Sequence, residues 1–407
     1  MFKLWKLAIR DLGRNKRRSA LTLLAVALGV ALLVLSSGLM EGSIWGSVES
    51  NIRVRTAHLQ VREQSYEADR ISLKWEHLLD DPQQVVAQAQ ALPKVQFATP
   101  VLWASGILAA GQESVGVQVT GLDPGSEFSA PFREGVVAGQ FLATEDRGGI
   151  LIGRRLAESL GTTVGGNISL MVNTSDEQPD EAVLTIRGLY DTGHPVYDQT
   201  TVFLPLAKAQ AFTRAGERAS AVLVLLENKD DADTVAMALQ GPGREVLTWR
   251  DLAQAILGAV ESSKGFLYLM YLVVLAVVAV VIANTLLMSV FERTREMGIL
   301  AALGMKGRQV MATFVIQAAL LALLGIALGL ALGSLGVYYL ATRGLDIGGA
   351  AQMATAEVAY GERLYARFVP VEMAQLSLAA LAITLLASLY PAWFAARMEP
   401  IEALRAL

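Results

Sequence analysis

Four long uncharged stretches constrain this chain more than any other feature, because an ordinary soluble core does not absorb apolar runs of such length. The first covers residues 20–40, 21 positions rich in Leu, Val and Ala. At roughly 1.5 Å of helical rise per residue, such a run crosses a hydrocarbon core of roughly 30 Å. Its eight Leu and three Val favour insertion by roughly −0.5 kcal/mol each, about −5 kcal/mol before the costs of Thr22, Ser36 and Ser37. A cleaved signal peptide would instead have a shorter apolar region ending in small residues of the A-x-A kind, so the expected form is an uncleaved anchor. Three further stretches, 265–291, 310–342 and 373–396, are each long enough to cross with some tilt. The composition agrees: 53% of residues are hydrophobic and only 18% charged, so some apolar surface must face lipid.

Basic residues set the expected orientation. Lys3, Lys6, Arg10, Arg14, Lys16, Arg17 and Arg18 precede the first stretch, and Arg293, Arg295, Lys306 and Arg308 lie between the second and third. By the positive-inside rule these segments face the cytoplasm, and the tail with Arg397 and Arg405 joins them. The connection after the third stretch has only Arg343, Arg363 and Arg367. The sequence therefore predicts a membrane protein of four transmembrane α-helices plus a large mixed α/β extracytoplasmic domain between helices 1 and 2, in a bacterial inner membrane with both termini cytoplasmic. Its expected segments are a basic N-terminus 1–19, spans 20–40, 265–291, 310–342 and 373–396, an outer domain 41–264, an inner connection 292–309, an outer loop 343–372 and a tail 397–407. The chain has no cysteine, so the outer domain must be held by core packing without disulfides.

Within 41–264 the pattern alternates strand and helix. Short apolar runs at 115–120, 150–152, 168–172, 183–189, 201–204, 221–226 and 245–247 predict strands. Segments 154–160, 206–212 and 231–239 predict helices, and turns fall at Gly121-Leu122-Asp123-Pro124-Gly125 and Asp191-Thr192-Gly193-His194-Pro195. A helix from about 251 to 264 is expected to run into the second span, and 41–51 to continue the first. Such prolonged helices suit transmission of movement, and equally suit plain membrane-proximal helices; periodicity leaves both readings open.

The spans contain no charged residue, which argues against ion coupling, since a buried charge in lipid is costly and marks an ion pathway. Asn284 and Gln317 are the notable polar groups there, suited to interhelical hydrogen bonds or to substrate contact. No G-x-x-x-x-G-K-[ST] loop is present, so ATP and Mg would have to be bound by a partner, and no cofactor is expected in this chain. His58, His77 and His194 lack metal-ligand spacing, no G-x-S-x-G or H-E-x-x-H occurs, and no catalytic or metal site is expected. Gly325, Gly329 and Gly333 form a small-residue stripe for close helix packing, against a span of the same chain or of a second subunit. After the second span, Met297, Leu300 and Leu303 recur every third residue, Glu292 and Glu296 stand one turn apart, and Gly304 is placed to stop a helix. The result is a short amphipathic helix at the inner face. It could lie on headgroups, but its two carboxylates would be repelled by anionic lipid, which favours a protein partner.

The run Glu292-Arg293-Thr294-Arg295-Glu296-Met297-Gly298-Ile299-Leu300-Ala301-Ala302-Leu303-Gly304 resembles the signature of the FtsX-like permease family, which includes MacB-type exporters and the LolC and LolE lipoprotein-release subunits. Arg14-Asn15-Lys16-Arg17-Arg18-Ser19-Ala20-Leu21-Thr22 and Tyr390-Pro391-Ala392-Trp393, with Arg397-Met398-Glu399-Pro400-Ile401-Glu402-Ala403-Leu404-Arg405, agree with it. So do 153–170 and 188–210, and His58-Leu59-Gln60-Val61 resembles a strand of the LolE-like branch. The resemblance implies an ABC-transporter permease without a fused ATPase, paired with a second permease (homo- or heterodimer) and joined to separate ABC ATPase subunits. It implies that Glu292, Arg293, Arg295, Glu296, Met297, Leu300, Leu303 and Gly304 couple to the ATPase. The substrate it suggests is a lipoprotein, lipid or other amphiphile, passed to a periplasmic carrier or adaptor, with membrane lipid as surroundings and no nucleic acid involved. A non-transporting role, relaying ATPase motion to a periplasmic partner, is the second expectation.

Overall fold

The computed structural model describes residues 10, 13, 14, 16–67, 71, 73–346 and 363–397. Lys3, Lys6, most of the loop 343–372 and the tail beyond Arg397 lie outside the described residues. The chain divides into two compact units, one formed by Met1–Ser43, Val260–Leu345 and Leu364–Leu407, the other by Ile44–Ala259 with Asp346–Arg363.

The first unit is helical. Helices α1 (Lys16–Asn51), α2 (Gln254–Glu292), α4 (Gly307–Arg343) and α5 (Pro370–Ala396) are long and apolar enough to cross a membrane, with the short α3 (Thr294–Ala302) between α2 and α4. Their outward faces carry Leu21, Leu24, Leu28 and Leu32 on α1 and Leu269, Val273, Val277 and Val280 on α2, all exposed. In water that surface would be unfavourable; in a bilayer it meets acyl chains. The inward faces form one core around Val26, Val30, Leu33, Ile282, Ala318 and Ala322.

Small residues set how closely these helices approach. A Cβ added at Gly325 would stand 2.7 Å from Val26 Cβ, at Gly329 2.6 Å from the Ala27 carbonyl oxygen, and at Gly333 2.9 Å from Val34 Cβ. The stripe on α4 thus faces Val26, Val30 and Val34 of α1, within the same chain. On α1, Gly29 lies against Val278 of α2, and Gly38 against Val337 and the carbonyl of Arg367, whose N–H donates to the Gly38 carbonyl at 2.8 Å. Thr22 and Thr285 share a hydrogen bond of 2.9 Å between α1 and α2, and Ser37 donates to Glu372.

Among the described residues, the main sheet of the second unit has ten strands: β1 (Leu59–Glu63), β2 (Val95–Ala110), β3 (Glu113–Leu122), β4 (Val136–Gly139), β5 (Gly149–Gly153), β6 (Asn167–Asn173), β7 (Pro179–Tyr190), β8 (Thr201–Pro205), β9 (Ala221–Leu226) and β10 (Arg244–Thr248). Their pairing makes two halves. In one, the order β10-β1-β9-β2 is antiparallel throughout, with helices Pro82–Gln90 after β1 and Ala232–Leu239 after β9. This is a split β-α-β arrangement of the ferredoxin-like kind. In the other, β2 pairs β3, β3 pairs β8, β8 pairs β5, β5 pairs β7, β7 pairs β6, and β6 returns to β2, so six strands close on themselves. Closure removes edges, and the interior fills with Leu102, Leu108, Ile150, Ile152, Leu170, Ile186 and Val202. Burial of each such side chain favours folding by about 1.5–3 kcal/mol.

β2 joins the halves: 95–101 pairs with β9, and 102–110 with β3. A second core sits at this join, where the Phe132 and Phe203 ring centroids are 4.3 Å apart and Tyr190 O–H donates to the Thr201 carbonyl at 2.8 Å. Burial pushes the Tyr190 phenol well up from its ordinary value. Two details depart from the sequence reading. Between the expected turn at 191–195 and the expected strand at 201–204, the structure places a helical turn, Pro195–Thr200, that the sequence reading left unassigned. Thr248 caps a separate short turn Trp249–Leu252, its Oγ1 donating to Asp251 at 2.7 Å, so α2 starts at Gln254.

Candidate coupling interface

α2 ends at Glu292, and Arg293 makes the corner into α3. At the far end, Leu303 N–H donates to the Ile299 carbonyl and Met305 N–H to the Leu300 carbonyl, both at 3.0 Å, while Gly304 takes φ +93°. This left-handed stop requires a residue without Cβ strain, which is why Gly304 stands there. Lys306 N–H then donates to Gln309 Oε1 at 2.9 Å, opening α4.

The residues expected at this site divide by environment. Met297 and Arg293 are turned inward and buried. Arg295 is exposed, as are Leu300 and Leu303, the last at 80%. Ile299 is exposed as well and belongs with these two; the three-residue spacing drew attention past it. Glu292 and Glu296 have partners within the chain. Arg18 Nη1 donates to Glu292 Oε2 at 2.8 Å and its Nη2 to Oε1, and Arg14 Nη2 donates to Glu296 Oε1 at 2.6 Å. The signal that could have found these pairs was present, since the two arginines and the two glutamates each stand four residues apart. Beside the pairs opens a cavity of about 330 Å³ lined by Arg10, Arg14, Arg293, Met297, Phe314 and Gln317, among others. Gln317 is thus buried at the cavity wall, whereas Asn284 is exposed.

α1 carries a second set of contacts near its C-terminal end, within the second unit. Lys229 Nζ sits 4.2 Å from the Trp45 ring centroid and 5.6 Å from that of Trp249, and Trp249 Nε1–H donates to the Lys229 carbonyl at 3.1 Å. Ser50 Oγ is 2.6 Å from His194 Nε2 at the wall of a cavity of about 440 Å³ that also touches Gly46, Val54, Pro131 and Gly135. Burial lowers the His194 pKa. His58 is also buried, its Nδ1 accepting from Leu226 N–H at 2.9 Å, and His77 Nδ1 lies 2.9 Å from Ser65 Oγ.

Four apolar helices, an amphipathic turn between the second and third, and a two-part α/β domain inserted after the first define a multi-pass membrane protein of the permease class. The MacB-like periplasmic core domain model matches residues 19–241, and the FtsX-like permease C-terminal model matches 268–400. The chain belongs to the family of FtsX-like permeases with a MacB-like periplasmic core domain. Among characterised relatives, it is 24% identical over 413 residues to the lipoprotein-releasing system transmembrane protein LolC of Xylella fastidiosa (strain Temecula1), with 96% of each chain covered. It is 23% identical to LolE of Haemophilus influenzae over 94% of this chain and 92% of that one. It is also 26% identical to the macrolide export ATP-binding/permease protein MacB of Salmonella typhimurium, over 78% of this chain but only 50% of that protein.

Proposed function

We propose that this chain is the membrane-spanning subunit of an ABC transporter that uses ATP hydrolysis by a separate ATPase to move an amphiphile, a lipoprotein or lipid, out of the bacterial inner membrane. The observation that carries this reading is the run-through likeness to LolC, 96% of both chains, where the likeness to MacB stops at half of that larger protein. The two termini and residues 292–309 face the cytoplasm, and the α/β domain faces the periplasm. The partner ATPase binds ATP and Mg, and its groove receives the ridge Ile299, Leu300 and Leu303, whose apolar side chains are 47%, 36% and 80% exposed. A second permease, identical or related, completes the dimer, and a periplasmic carrier or adaptor receives the substrate.

The uncharged spans support an external energy source, since no intramembrane ion site offers one. Purification from membranes should bring down an ATP-hydrolysing companion. Reconstituted with that companion in vesicles loaded with an acylated lipoprotein, the complex should release the lipoprotein only with ATP. ATP turnover without release of lipoprotein or lipid would exclude transport of these substrates.

A further inference from the structure

Arg14 and Arg18 stand four residues apart in the sequence, and Glu292 and Glu296 do the same across the α2–α3 corner. The partners run in opposite senses, Arg14 to Glu296 and Arg18 to Glu292, so the contacts form a two-rung antiparallel ladder. Both rungs are partly exposed, with 52% and 50% of the side chains accessible in the first and 29% and 36% in the second. Such pairs add little to stability. What two rungs at matched spacing do supply is register, because a slip that set Arg18 opposite Glu296 would strand Arg14 at one end and Glu292 at the other. The next contact along α1 is the Thr22–Thr285 hydrogen bond, followed by Gly29 against Val278, so α1 and α2 are held together from the ladder inward. α1 continues without a break to Asn51.

We infer that Arg14 and Arg18 are positioning residues that gear the start of α1 to the coupling helix, so that displacement of α3 is delivered to α1 as well as to α2. This rests on the reading of α3 as the ATPase-docking element. Glu292 and Glu296 serve the same gearing from the other side, and the docking surface proper is left to Ile299, Leu300 and Leu303. Both output helices then move in register.

The absence of cysteine makes the test clean. Gly46→Cys introduces one thiol near the outer end of α1, at an exposed position where an added Cβ meets nothing within 4 Å. In the full complex with its ATPase in nanodiscs, maleimide labelling at that thiol should change several-fold between nucleotide-free and ATP-vanadate states. Arg18→Glu sets two carboxylates against each other and should shrink the change to less than about twofold, with ATP turnover kept within about twofold. Membrane orientation should survive, since Lys3, Lys6, Arg10, Arg14, Lys16 and Arg17 remain and an added Glu contributes little. Arg18→Glu with Glu292→Arg restores the rung with charges exchanged and should restore the labelling change; Arg18→Lys should keep most of it. A change that survives Arg18→Glu undiminished, or that the exchanged pair fails to restore, overturns the gearing and leaves ATPase docking standing. No labelling change in the chain with its ladder intact, and no bound ATPase, overturns both.

Discussion

Gly329 sits where α4 comes closest to α1, with the Ala27 carbonyl and Val30 Cβ occupying the space a side chain would need. Because backbone and a β-branched residue form that wall, neither can swing aside. Gly329→Leu should therefore destabilise the membrane unit by about 1–3 kcal/mol, seen as a lower thermal midpoint in detergent. Gly265→Ala is the matching control: nothing lies within 4 Å of its added Cβ, and the better helix former should leave the midpoint unchanged or raise it. A different residue governs the response of the inserted domain to pH. Burial pushes the Asp198 carboxyl up to about 7, against the Thr192 N–H and hydroxyl that donate to it at 2.9 and 2.6 Å. The folded state thus holds a proton that the unfolded chain releases near pH 4, so this contribution is full below that pH and is lost as pH rises through about 7. Asp191 acts below this window: burial would raise its pKa, but the Arg154 guanidinium prevails and holds it low. His194 and His58, lowered by burial, act in the opposite sense but equally with or without Asp198. Thermal melts from pH 5 to 8 should therefore show the chain losing several degrees relative to Asp198→Asn as pH rises. Parallel curves would remove Asp198 from the account.

At the scale of elements, the α2–α3 corner and the end of α3 present different surroundings. Glu292 at the end of α2 and Glu296 on α3 pair with Arg18 and Arg14, buried Met297 anchors α3 to the membrane unit, and Leu303, 80% exposed, projects just past its end. Leu303→Glu should accordingly leave insertion and α1 contacts intact while lowering ATPase co-purification at least about tenfold, as loss of a central apolar anchor does at an interface. Unchanged co-purification would move the docking surface elsewhere. The sequence made this helix legible because amphipathic spacing, an adjoining span and a stop glycine coincide within thirteen residues. It left the ladder unread because the partners lie 282 and 274 residues apart, and the matched four-residue spacing on each side does not by itself say which segment meets which. The same limit hid the barrel. β2 serves two sheets, yet residues 95–110 contain no break where it passes from one to the other, and its Pro100 falls inside the strand. The strands at 221–226 and 201–204 announced themselves by continuous, largely apolar runs, whereas the four-residue, mostly exposed β4 did not.

For the whole molecule, topology decides which parts can deliver movement to which. The chain passes from α1 into β1 and returns through β10 before α2, and β1 and β10 are neighbours, Leu59 opposite Thr248. Both membrane connections therefore reach the ferredoxin-like half, and the closed barrel is inserted beyond it through β2 and the segment before β9. Under the proposed function, this connectivity would make the ferredoxin-like half the first part of the inserted domain that motion of α1 and α2 reaches, provided the inserted domain and α3 face opposite sides of the membrane. Single thiols test that condition in a chain with no cysteine of its own. Gly116→Cys lies on β3 with open space around its Cβ, and Leu303→Cys lies on the exposed ridge of α3. In cells whose outer membrane alone is permeabilised, an impermeant maleimide should label Gly116→Cys and leave Leu303→Cys untouched until the inner membrane is broken. The positive-inside rule predicts this outcome from the basic residues flanking the first and second spans. Labelling of both thiols from one side would mean that α3 cannot meet a cytoplasmic ATPase, and the route from nucleotide to inserted domain would have no beginning.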